Sequence, residues 1–97
     1  MRTIKELLQH AKKVYIVLPT KAMQYRFMSD ADREGITFSD GMRATDRMAG
    51  DIMALLPAGH IYFVGWAGRM CFKLGGNAVL RVDYEKYISD EDDYLLD

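Results

Sequence analysis

The residues able to do chemistry are few and scattered. His10 and His60 are the only histidines and Cys71 the only cysteine in 97 residues. Neither histidine has a Cys, Asp or Glu beside it at metal-ligand spacing, so no metal site is expected. Cys71 lies between Met70 and Phe72, has no second cysteine to bond with, and reads as a small apolar side chain. Asp40, Asp46, Asp51 and His60 could supply an acid–base pair only if folding brought two of them together. There is no serine-centred elbow, Walker loop or dinucleotide fingerprint. These residues point to a chain that is not an enzyme and carries no cofactor.

The most suggestive group is Gly65-Trp66-Ala67-Gly68-Arg69. Its small residues let a ligand approach the backbone, the indole can stack, and the guanidinium offers planar donors. It has too few spaced glycines for a phosphate cradle, and no helix of useful length is expected after it. If Arg43 and Arg47 fold over the same edge, then Arg43, Arg47, Trp66 and Arg69 form one concave, positive surface suited to a nucleotide or nucleic acid. The competing structural reading buries Trp66 in the core and uses the glycines to relieve a sheet bend. Seven methionines are a high count for this length. Met42 and Met48, in a polar stretch, are expected at the surface, where flexible thioethers make adaptable contacts. An exposed apolar patch including Met42, Met48 or Trp66 and rimmed by charge would mark a protein-binding module that docks on a partner through its polar loop and hairpin edge. Tyr84, Tyr87 and Tyr94 offer a second, partner-binding aromatic patch, unless Tyr84 and Tyr87 simply cover a sheet edge.

The elements that must position these groups are legible in part. Thr3-Ile4-Lys5-Glu6 matches a capping box and opens a short helix over about residues 4–12. Val14-Tyr15-Ile16-Val17-Leu18 reads as a buried strand ending at Pro19. Thr20 caps a second helix whose inner stripe is Met23, Phe27, Ala31 and Met28, with Lys21, Arg26, Asp30 and Arg33 facing out and Gly35 closing it. Ile36-Thr37-Phe38 is a short strand, expected to lie parallel to the first through a right-handed crossover. Residues 42–50 lack periodicity and read as a polar loop. Asp51–Leu56 and Ile61–Val64, joined through Pro57-Ala58-Gly59-His60, read as a hairpin. Ala78–Val82 is the last strand, and Asp83–Ile88 continues it or forms a helical turn capped by Asp83. The result is an α+β fold: two layers, with a mixed sheet of four or five strands and two main helices on one face.

Composition fits this outline. A hydrophobic fraction of 49% with 28% charged residues excludes a disordered chain and a coiled coil. No apolar run approaches the roughly 20 residues that span a bilayer, and the N-terminus lacks a secretory h-region, so a cytoplasmic protein without membrane contact is expected, alone or as a small homo-oligomer. Residues 1–89 form one domain and 90–97 an acidic C-terminal tail. Net charge is −1, but Asp90, Glu91, Asp92, Asp93 and Asp97 all lie in that tail; without them 13 basic groups face 9 acidic ones. Such a tail either competes with an anionic ligand for the body or is a solvated end.

Three segments, Glu34-Gly35-Ile36-Thr37-Phe38-Ser39-Asp40-Gly41, Asp51-Ile52-Met53-Ala54 with Ile61-Tyr62-Phe63-Val64-Gly65, and Val82-Asp83-Tyr84-Glu85-Lys86-Tyr87, occur in this order. Together they resemble a group of short proteins of no assigned activity encoded by phages and prophages of Gram-positive gut bacteria. The likeness covers most of the chain but transfers no site. It implies a bacterial cytoplasm and a phage accessory or counter-defence role, in which a small protein binds a host protein or a signalling nucleotide.

Overall fold

A run of β-branched and aromatic residues needs cover on both sides, and Val14, Tyr15 and Ile16 receive it completely. In the computed structural model, which describes residues 2–96, they form β1 (Lys13–Val17) of a five-stranded sheet. The other strands are β2 (Thr37–Phe38), β3 (Ile52–Leu55), β4 (His60–Phe63) and β5 (Val79–Asp83), in the order β2-β4-β3-β1-β5. β1 pairs antiparallel with β3 and parallel with β5; β3 pairs antiparallel with β4, and β4 parallel with β2. The fold is α+β with a mixed sheet.

The expected hairpin is β3–β4, turned by Gly59 at φ 93° with its amide on the Leu56 carbonyl. It occupies a place the sequence did not reveal. β1 and β2 run in the same direction, but the hairpin lies between them, so the crossover joins non-adjacent strands. A two-residue β2 cannot cover the length of β1, whereas the hairpin brings Met53, Leu55 and Ile61 into the core.

Side chains alternate across the sheet, so Val14, Ile16, Met53, Leu55, Ile61 and Val82 share one face. Three helices cover it: α1 (Ile4–Leu7), α2 (Lys21–Arg33) and α4 (Tyr84–Ile88). Thr20 caps α2 through the Met23 amide, and Met23, Phe27, Met28 and Ala31 are buried. Gly35 at φ 77° closes α2, and the Ile36 amide returns to the Ala31 carbonyl. Asp30, expected to face out, is buried instead: its carboxylate accepts from Arg26, Arg33 and the Tyr84 hydroxyl, which supplies the compensation a buried charge requires. α1 is shorter than expected. After Leu7 a 3-10 turn over Leu8–His10 ends at Ala11 in the left-handed region. Thr3 caps the Glu6 amide, while Glu34 of the α2 terminus accepts from the Ile4 and Lys5 amides. Asp83 caps α4 through the Lys86 amide.

The opposite face carries a helix of its own. α3 (Trp66–Leu74) packs there through Phe72, which meets Tyr15 edge-on at 5.5 Å, so the expectation of helices on one face does not hold for this element. No helix among the described residues is long and apolar enough to cross a membrane. The acidic segment turns back on the body: the Asp83 amide donates to the Tyr94 carbonyl and the Leu96 amide to the Arg81 carbonyl, which covers the free edge of β5. Asp97 of the expected tail lies outside the described residues.

Candidate functional site

α3 is unusual in burying none of its residues fully. Only Val64 and the N-cap Gly65 separate β4 from the helix, and the first turn of the helix must pass close to Val64. Gly68 permits this, because a Cβ there would lie 2.9 Å from Val64 Cγ1. At the other end Arg81 of β5 donates to the Phe72 and Gly76 carbonyls and places positive charge at the helix C-terminus. With Phe72 turned to the sheet, residues at i, i+4 and i+8 on the far side form one outward stripe. These are Trp66, Met70 and Leu74, with fractional exposures of 80%, 40% and 74%. Arg69 and Lys73 run along one flank of the stripe, and Ala67 and Cys71 along the other; all four are exposed. Burying Trp66 in the core, the competing expectation, is therefore incorrect: the core side of α3 is occupied by Phe72.

The structure divides the expected site residues between two faces. Arg43 and Arg47 lie on the α2 side. Arg43 grips Asp32 of α2 through two bonds of 3.0 and 2.8 Å. Arg47 reaches Asp40 at 2.6 Å and lies over the Phe38 ring. Met48, 62% exposed, lines with Arg47 a cleft of about 180 Å³ against Lys21, Tyr25 and Met28 of α2. Met42 is exposed after the Gly41 turn, its amide on Asp40. Trp66 and Arg69 are on α3, and Arg69 holds Asp51 at 2.6 Å. The single concave surface built from Arg43, Arg47, Trp66 and Arg69 does not form. Each of the three arginines is engaged by a carboxylate, and its hydrogen bond holds the carboxyl of Asp32, Asp40 or Asp51 below the ordinary value of 3.8.

The remaining candidates are also separated. Asp40 and Asp51 belong to those ion pairs, while His60 Nδ1 faces the Thr37 carbonyl at 3.2 Å. Among the described residues no three His, Cys, Asp or Glu gather to hold an ion. Tyr84 and Tyr87 are not a surface patch. Both are buried, their hydroxyls bonded to Asp30 and the Thr3 carbonyl, and burial pushes both phenols upward. Tyr94 packs edge-on against Tyr87, with Arg2 over both rings.

What the sequence did not single out is the company Trp66 keeps. Met70 and Leu74 follow it at four-residue intervals, a signal present in the chain but masked by the uncapped start and by Gly68, a poor helix former. Lys73 was missed with them. No family model, curated protein or solved structure matches this chain.

Proposed function

We propose that this chain is a small non-catalytic binding protein that recognises another protein through the outer face of α3. The observation that carries the proposal is the stripe Trp66-Met70-Leu74, aimed into solvent from a helix whose inner side is already seated on the sheet. An exposed tryptophan beside two flexible or branched apolar residues has the composition of an interface centre, and the flanking Arg69 and Lys73 form a charged rim. Burial of each stripe side chain is worth about 1.5–3 kcal/mol, enough for the three to offset a substantial part of the cost of association. Read with the resemblance to phage-encoded proteins, the partner is a bacterial host protein and the role that of an accessory or counter-defence factor in the host cytoplasm.

The test is capture of a partner from lysate of a Gram-positive gut bacterium, with the wild-type chain and with a Trp66→Ser/Leu74→Ser variant whose circular dichroism is unchanged. A protein retained by the first and lost from the second is expected. Equal retention by both refutes the use of α3.

The nucleotide reading loses its premise with the separation of Arg43 and Arg47 from Trp66 and Arg69.

A further inference from the structure

Charge beside α3 narrows the chemistry of what docks there. The basic flank of the helix borders a groove of about 740 Å³ between α3, β5 and the returning C-terminal segment. Lys12, Lys73 and Arg81 line it, together with Phe72 and Leu95, and no carboxylate is found among the described residues of its lining. The first and last of these cations bond to backbone carbonyls: Lys12 Nζ to Asn77, and Arg81 to Phe72 and Gly76. None of the three pairs with a described carboxylate, in contrast to Arg43, Arg47 and Arg69. The acidic residues Asp90, Asp92 and Asp93 are engaged elsewhere, with Arg2 and Lys86.

From this juxtaposition, and resting on the docking role of α3, we infer that the partner presents an acidic amphipathic segment: its apolar positions cover Trp66, Met70 and Leu74, and its carboxylates enter the groove at Lys12, Lys73 and Arg81. Complementary potential of this kind selects partners and speeds their encounter. Nucleic acid would also be drawn to an exposed indole among cations. It would leave Met70 and Leu74 uncovered, however, because bases stack on rings and phosphates seek charge, whereas an amphipathic segment satisfies the stripe and the groove together.

Two synthetic helical peptides of about five turns test the inference. Both carry leucines at i, i+4 and i+8; one is flanked by glutamates and its twin by lysines. Binding is followed by anisotropy of a label on the peptide, and the emission of Trp66, the sole tryptophan, reports whether the stripe is covered. The acidic peptide should bind at least about tenfold tighter than the basic twin at low salt, and lose that margin as salt rises and the Debye length shrinks. A Lys12→Glu/Lys73→Glu variant should abolish the preference, and Trp66→Ser should weaken the acidic peptide roughly thirtyfold, the scale of an aromatic hot spot. Equal binding of the twins, lost in the Trp66→Ser variant, keeps the docking role and overturns the acidic partner. Failure of both peptides to bind overturns both statements. Tighter binding of a single-stranded oligonucleotide than of the acidic peptide, or a sedimenting dimer in which Trp66 is already shielded, also overturns the inference.

Discussion

Removing the carboxylate of Asp30 should cost more than its place on a helix suggests. Its partners fall into two classes. Arg26 and Arg33 approach it at 3.0 and 2.5 Å, but their side chains are 45% and 60% exposed, so neither is left as a buried charge when the carboxylate goes. Together they are worth about 1 kcal/mol. The Tyr84 hydroxyl, 2.6 Å away, is buried with its ring against Phe27 and has no such escape. Losing a hydrogen bond to a charged acceptor and orphaning the donor costs about 1.5–3 kcal/mol. Against this, Asp→Ala in a helix interior returns about 0.5 kcal/mol. Asp30→Ala should therefore lower unfolding free energy by about 3 kcal/mol and Tyr84→Phe by about 2 kcal/mol, with the double variant little worse than the first alone. Urea unfolding of the four proteins at neutral pH measures the coupling, expected at about 1.5 kcal/mol. A coupling below about 0.5 kcal/mol would refute the claim that Tyr84 and Asp30 act as a unit. The same pair sets a pH response. The Tyr84 phenol is pushed up, first by burial and then by its bond to Asp30, from an ordinary 10.0. Its contribution is thus complete below pH 10.0 and is lost as pH rises further, because the unfolded chain ionises there first. Tyr84→Phe should flatten that alkaline loss, leaving the part due to Tyr87.

Two further outcomes follow from groups on the other face. The Tyr15 hydroxyl is buried and bonds to no described residue, so Tyr15→Phe should raise the urea midpoint, by about 1 kcal/mol of stability, while keeping the ring against Phe72; a loss of similar size would contradict this. Asp51 is held below its ordinary 3.8 chiefly by the bond from Arg69, so that pair stabilises above pH 3.8 and fades as pH falls through the lower folded value. An acid titration of Arg69→Ala should show a shallower loss of stability below pH 4 than wild type; parallel curves would argue against the pair.

Local signals in the sequence fared better than placement. The hairpin, the cap at Thr20, the stripe Met23-Phe27-Ala31 and the glycine stop at Gly35 are legible because each is fixed by neighbours within a few residues. The position of the hairpin between β1 and β2 is set by which long-range pairing buries most apolar surface, and spacing along the chain does not encode that. Asp30 shows the same limit. Helical periodicity puts it outside, and only the arrival of Tyr84, 54 residues later, makes its burial favourable. At the candidate site, Trp66 and Arg69 were singled out for the residue types they are, but the arginines expected to join them face Asp32 and Asp40 on the other side of the sheet. The stripe that does accompany Trp66 was hidden by a helix that begins without a side-chain cap.

The direct measurement is acrylamide quenching of Trp66 emission, first in the free chain and then in the complex captured from host lysate. Ready quenching of the free protein and strong shielding in the complex are expected from a partner seated on α3. A tryptophan quenched equally in both states would place the partner elsewhere and contradict the account.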